Sequence, residues 1–352
     1  MKQVSRIFLA GVAAGLFCCV QIAQVLAYNA EPKEPAKEIK YILGYYYGNG
    51  ENILVRENNG ELDLVYRVWS EDKDFSRANI FPLLKVRFDS YNINESGPVG
   101  AGESDVYFNR DRDGYGIALR VGGHTYTRRF IGTAEGDKGN PMRLPPIAPE
   151  EWSRLRTAAK EAAVPLKLTD GMTAELVNAA TIEGLKVSSV YGGEDNLFGA
   201  PLYEGKDLYL GKEAAEALGK VQQHLALYGY GLVLWDAYRP WHVSYLANLA
   251  LPKNKKDMLE DPLKEGSPHN TGMSVDVGLY SLETGEELTM ISGYDEPSFR
   301  QYSSYPGGST KERYLRDLLR STMKLYGFTG IDMEWWHFNF DAKTKYAHQN
   351  IM

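Results

Sequence analysis

Two regimes of hydrophobic patterning divide the chain. From about residue 40 to 130 the apolar positions recur at period two in short runs, as where Leu62, Leu64, Tyr66 and Val68 alternate with mostly polar neighbours. This is the mark of strands with one buried face. Runs at 53–56 and 61–69 flank Asn58-Asn59-Gly60, an Asn-Gly signal that predicts a two-residue hairpin. Further strands are predicted at 83–88, 105–108, 115–121 and 124–130. Such a series closes most simply into a small antiparallel barrel or sandwich. Beyond Pro149 the period lengthens. Ala214, Leu218, Val221 and Leu225 fall at helical spacing, with Gly229 and Gly231 where that helix should stop. A second helix, with Leu315, Leu318, Leu319 and Met323 inward, is predicted over 310–326, ending at Gly327. Between them 231–235 and 274–279 read as strands. Few strands among packed helices, with no Gly-rich phosphate loop, indicate an α+β fold.

The breaks in pattern set the organisation. Lys2 and Arg6 precede an apolar run over 7–20, and Val25-Leu26-Ala27 offers the small residues that a signal peptidase reads, so 1–27 is expected to be a secretory signal cleaved after Ala27. The alternative, a retained anchor, needs about 20 apolar residues, and the run is shorter. A proline-interrupted lead-in is expected over 28–38, an all-β accessory domain over 39–131, a Gly- and Pro-rich linker over 132–149 and the α+β domain over 150–352. The 352 residues suit two cores.

Composition narrows the chemistry. Net charge is −7, and −9 without Lys2 and Arg6, and no basic cluster is present, which sets nucleic acid aside. Both cysteines, Cys18 and Cys19, fall in the expected signal. The mature chain then has no thiol, which suits a periplasmic or other exported bacterial protein and requires any metal to be held by nitrogen and oxygen.

Three polar clusters carry that possibility: Asp236-Ala237-Tyr238-Arg239-Pro240, then Ser267 to Asp276, then Glu334-Trp335-Trp336-His337. Asp276 lies in an otherwise apolar strand, and Gly272 lets the preceding loop turn His269 back beside it. A lone buried carboxylate costs several kcal/mol (~) unless paired, and a metal supplies the pair. With His337 as third ligand one position of a tetrahedron stays open, as in catalytic zinc sites. Glu334 is the natural base. Residues three apart on a regular strand face opposite ways, so Glu334 and His337 share a cleft only if the chain bends at Trp335 or Trp336. Arg239, at a strand end, can donate to an oxyanion or a substrate carboxylate; paired with Asp236 or another acid, it would be merely structural. The remaining histidines, His124, His224, His242 and His348, read as surface or capping residues.

Ser-x-His-x-x-Gly-x-x-x-Asp followed by Glu-x-x-His is similar to the zinc D-Ala-D-Ala peptidases, whose fold is shared with the hedgehog signalling domain. The strings 235–240, 334–338 and Asp195-Asn196-Leu197-Phe198-Gly199 resemble specifically the D-alanyl-D-alanine dipeptidase, or VanX-type, branch, over about 175–341. The resemblance implies an antiparallel sheet with flanking helices, one zinc on His269, Asp276 and His337, Glu334 as catalytic base and Arg239 as transition-state donor. It also implies that Asp295 receives the free amine of D-Ala-D-Ala and that Ser267 orients the substrate. The β domain weakly resembles lipocalin-like accessory domains, with no ligand named. The competing functions are a D,D-carboxypeptidase acting on peptidoglycan stems and a binding protein whose zinc is structural.

Overall fold

Asn59 and Gly60 take positive φ values of 52° and 92°, and Asn58 faces Glu61 across them. This is the tight hairpin expected of an Asn-Gly pair. In the computed structural model, which describes residues 31–66, 79–93, 105–132, 138–139 and 143–351, that hairpin is one corner of a closed barrel. A short helix α1 (Lys37–Lys40) leads into β1 (Gly44–Gly48), β2 (Glu51–Asn58), β3 (Glu61–Tyr66), β4 (Asn79–Arg87), β5 (Ser90–Ile93), β6 (Asp105–Arg110), β7 (Gly116–Val121) and β8 (His124–Arg129). Each strand pairs antiparallel with the next, and β8 returns to β1. The pattern missed β1, whose Gly-Tyr-Tyr-Tyr-Gly has no alternation, and β5, which is four residues long. The expected signal lies outside the described residues, as do residues 67–69 of the second predicted strand. No helix among the described residues is long and apolar enough to cross a membrane.

The barrel interior is filled by Tyr46, Ile53, Val55, Leu64, Phe108, Leu119 and Tyr126 among others. Tyr45, Leu54 and Val65 point the other way and join the core of the C-terminal half. Strand β3 is therefore buried on both faces, which is why every residue after Glu61 in it is buried although the sequence alternates.

In the C-terminal half, α2 (Pro149–Glu161) opens on a proline, whose missing N–H costs nothing in a first turn. There follow β9 (Leu176–Asn178), β10 (Lys186–Val187), β11 (Tyr209–Gly211), α3 (Lys212–Ala226), β12 (Tyr230–Asp236), α4 (Trp241–Ala250), β13 (Ser274–Ser281), α5 (Thr310–Leu325), β14 (Phe328–Gly330) and β15 (His337–Phe340). The main sheet runs β10-β12-β13-β15-β14, with β11 and β9 forming a separate pair. The expected antiparallel sheet is mixed: β10 and β12 run parallel, and α3 lies in the crossover that such a pair requires. Helix α3 buries Ala214, Leu218, Val221 and Leu225 as predicted, and α5 buries Leu315, Leu319 and Met323 with Leu318 only partly covered.

Strands β12 and β13 lie close because glycine sits opposite each large ring. A Cβ on Gly278 would stand 2.3 Å from the Trp235 ring, and one on Gly231 would stand 2.2 Å from the Tyr280 ring. The register slips at Trp235, so that Asp236 is level with Asp276, and Asp276 in turn pairs with His337. One rung thus crosses three strands.

The barrel docks through its β2–β3 hairpin. Glu57 accepts from the first backbone N–H of α5, at Thr310, at 2.6 Å, and its own N–H donates to the Gly308 carbonyl at 3.1 Å. Arg313 donates to the Glu57 carbonyl at 2.8 Å, and Tyr45 packs 5.9 Å from Tyr305. A carboxylate over orphan N–H groups at a helix start is favourable both as a cap and against the helix dipole.

Candidate active site

His269 rides on a short 3-10 turn, Pro268–Thr271, that ends at Gly272 in the left-handed region (φ 78°). A Cβ at Gly272 would come 2.9 Å from Leu176, and its carbonyl accepts from Gly211 N–H at 2.8 Å. Only glycine allows this turn and this approach together. Ser267 caps the turn: its N–H donates to Asn270 Oδ1 at 2.9 Å and it is buried there. Asn270 is fully enclosed and donates through Nδ2 to the Arg239 carbonyl at 2.7 Å and to Ser244 Oγ at 2.8 Å. The amide thereby ties the arginine segment to the histidine turn.

His269, Asp276 and His337 converge, all buried. His269 Nε2 lies 3.1 Å from His337 Nδ1 and 3.4 Å from Asp276 Oδ1, and His337 Nδ1 lies 2.9 Å from the same oxygen. A tetrahedral ion with ~2.0–2.1 Å bonds needs ligand atoms ~3.3 Å apart. The far side of each ligand is tied as well. His269 Nδ1 donates to the Ala237 carbonyl at 2.7 Å, His337 Nε2 donates to Asn339 Oδ1 at 3.0 Å, and Asp276 Oδ2 accepts from Tyr294 OH at 2.8 Å. These outer bonds select the tautomers whose lone pairs face inward. The donor set fits zinc.

Glu334 precedes a turn rather than a strand. Trp335 and Trp336 form the turn, the Glu334 carbonyl accepts from His337 N–H at 3.4 Å, and β15 begins only at His337. The bend brings the Glu334 carboxyl within electrostatic reach of Asp276 and His337. Burial first, then the Asp276 charge, raise Glu334 to about 8. Asp295, also at positive φ (53°), is raised to about 7 by burial, with Asp276 adding to the rise, while the Tyr191 hydroxyl bonded to it and the Arg239 charge oppose it. Asp276 behaves oppositely: burial works against its charge, yet the two imidazoles hold it well below the usual carboxylate range. One carboxylate held ionised thus stands beside two that burial and its charge push up.

Arg239 is paired, as the structural alternative anticipated. Its Nε lies 3.0 Å from Asp236 Oδ2, Nη2 donates to the same oxygen, and the guanidinium sits 5.3 Å from the Tyr191 ring centre. Asp236 is fully buried and also accepts from Tyr203 OH and from Ala237 N–H. The pair orients the guanidinium, whose Nη1 makes no hydrogen bond to any described residue. His242, expected at the surface or a cap, is instead buried, with Nδ1 2.6 Å from Asn350 Oδ1.

Residues 172–351 match the family described as D-ala-D-ala dipeptidase. The chain belongs to that family. It is 32% identical over 174 residues to the D-alanyl-D-alanine dipeptidase of Enterococcus faecium, an alignment that covers 45% of this chain and 86% of that protein. Against the D-alanyl-D-alanine dipeptidase of Escherichia coli K12 it is 33% identical over 175 residues, 49% of this chain and 89% of that protein. The corresponding Streptomyces coelicolor protein is 29% identical over 174 residues, 45% of this chain and 86% of its own length. The family match begins after the barrel and after α2.

Sequence reasoning passed over the groups that orient the dipeptidase site: Tyr191, Tyr203, Tyr294, Asn270 and Asn339. Asn339 alone had a usable signal, since it lies two residues past His337 and so on the same face of the strand. The tyrosines come from separate loops, and no spacing rule connects them to the carboxylates they serve.

Proposed function

We propose that the protein is an exported zinc peptidase that hydrolyses D-Ala-D-Ala to free D-alanine in cell-wall metabolism. The observation that carries this reading is the inward convergence of two imidazoles and one buried carboxylate, with Glu334 on the adjoining turn.

In this reading His269, Asp276 and His337 hold one zinc, which supplies Lewis acidity to the scissile amide. Glu334 in its ionised form takes the proton from the attacking water and returns it to the leaving amine, and a carboxyl near neutrality suits both transfers. Arg239, held by Asp236, directs a donor at the negative charge that develops on the carbonyl oxygen. Asp295 receives the substrate ammonium, and Ser267 fixes substrate orientation from the cap of the His269 turn. The front barrel is a lipocalin-like accessory in its eight-stranded up-and-down closure. Residues 1–27 act as the export signal, and the destination is the periplasm.

The test is D-alanine release from D-Ala-D-Ala and from its N-acetyl derivative, with and without chelator. Cleavage of the free dipeptide alone, abolished by chelation and restored by zinc, is expected. Equal rates on both substrates would identify a D,D-carboxypeptidase instead. Tight zinc binding with no cleavage of any D,D-substrate would make the metal structural.

A further inference from the structure

Behind the Asp236–Arg239 pair lies a cavity of about 580 Å³, within the roughly 300–1,000 Å³ of sites that hold small molecules. None of His269, Asp276, His337, Glu334 and Arg239 lines it. Tyr203 is the partition: its ring borders the cavity, and its hydroxyl bonds Asp236, which holds Arg239. The floor is apolar, with Leu202, Val243 and Leu246 at 4%, 2% and 2% exposure. One wall is α2, which buries Leu155 and Ala159 in the same apolar cluster as Val243 and Leu246 and turns Arg156 and Lys160, one turn apart, to the cavity. Helix α2 ends at Glu161, before the stretch shared with the dipeptidase family begins at residue 172.

We propose that this cavity is a second ligand site, built for a zwitterionic amino acid or short peptide with a large apolar side chain. The site goes beyond the dipeptidase reading and stands without it. Its charges set the ligand class. Lys160 pairs with Glu204 at the mouth. That leaves one cation, Arg156, and one anion, Asp207, lining the cavity with no ion-pair partner among the described residues. Arg156 donates from Nη2 to the Pro201 carbonyl, while its Nε and Nη1 make no hydrogen bond to any described residue. A carboxylate on Arg156 and an ammonium on Asp207 answer both charges; a simple acid or amine answers only one.

His242 adds a directional contact. The residue is buried, at 8% exposure, and its main-chain N–H and Nδ1 lie 2.9 and 2.6 Å from Asn350 Oδ1. An amide atom that accepts from a main-chain N–H is the oxygen, so Nδ1 must donate to it and Nε2 keeps a bare lone pair. Nε2 makes no hydrogen bond to any described residue, and the ring lines the cavity. A buried acceptor without a donor is unfavourable, and an N–H of the ligand supplies the donor. The methyl groups of D-Ala-D-Ala would leave most of the Leu202, Val243 and Leu246 floor wet. A side chain the size of leucine or phenylalanine covers it.

The experiment is calorimetric titration of the zinc-loaded protein with phenylalanine of either hand, with phenylalaninamide, which lacks the carboxylate, and with 3-phenylpropionate, which lacks the ammonium. One phenylalanine should bind per chain, and each analogue at least ~10-fold more weakly, the worth of one charge-assisted hydrogen bond. Leu246→Trp, which fills the floor, should abolish binding. Arg156→Ala, on the rim, should weaken phenylalanine about 10-fold and leave phenylalaninamide unchanged, and it carries the test if the floor does not tolerate tryptophan. The site is refuted if millimolar phenylalanine gives no saturable binding, if binding survives in a folded Leu246→Trp protein, or if Arg156→Ala leaves phenylalanine unweakened or weakens acid and amide alike. None of these results bears on the dipeptidase reading, because neither the metal-facing residues nor Glu334 line the cavity.

Discussion

Of the two imidazoles, only one is oriented by a group that can be changed. His269 leans on a main-chain carbonyl, whereas His337 leans on the side chain of Asn339, at 3.0 Å. Asn339→Leu keeps the volume and removes the acceptor. The His337 Nε2–H then lies in a buried setting without a partner, which costs about 1–3 kcal/mol. The imidazole escapes that cost by moving its proton to Nδ1, the atom that faces the metal position. Either way the penalty falls on metal binding, and at 1.4 kcal/mol per tenfold it corresponds to zinc held about 5- to 140-fold more weakly. Ser274 Oγ, which donates to the same Asn339 oxygen at 2.6 Å, loses its acceptor too, a cost that falls on folding and cancels in metal binding. Competition against a chromophoric chelator measures the change directly, and activity at saturating zinc should recover most of its wild-type value. A zinc affinity within twofold of wild type would refute the assignment of this tautomer, and with it the role given to the strand-mate of His337.

Asp295→Asn should act twice. The loss of a charged partner for the substrate amine should raise KM about 10- to 100-fold, the worth of one charge-assisted hydrogen bond. Because the Asp295 charge helps to raise Glu334, its removal eases ionisation of that base, so the acid limb of the kcat profile should move to lower pH; an unmoved or upward-moving limb contradicts the electrostatics. Glu57→Ala strips a cap from α5 and should cost about 1–2 kcal/mol in urea unfolding. Unchanged stability would show that the Glu57 carboxylate adds nothing to the docking beyond the main-chain bonds and apolar contacts.

The convergence of His269, Asp276 and His337 had local signs in the sequence: a carboxylate in an apolar strand, a glycine after a histidine, a glutamate three residues before another histidine. The barrel was legible in outline for the same reason, since alternation and an Asn-Gly pair act over a few residues. What could not be read depends on contacts distant in sequence. The parallel pairing of β10 with β12 joins Lys186 to Val233, and only two residues of β10 take part. Tyr203 reaches Asp236 from a loop, and Glu57 reaches Thr310 from another half of the chain. Arg239 was ambiguous in sequence because the same guanidinium serves both readings: it is paired with Asp236 and still keeps one nitrogen clear of described partners.

The rung that runs from Asp236 through Asp276 to His337 has a mechanical side. An ion shared by Asp276 and His337 rivets two neighbouring strands, and through His269 it also fastens the turn that packs against β12's outgoing end. Such a rivet exists only in the folded chain, so free zinc at a thousand times its dissociation constant adds about 4 kcal/mol to the resistance against unfolding. Scarcity of such an ion would therefore not merely silence the enzyme but also expose it to proteolysis, coupling its abundance to the metal supply.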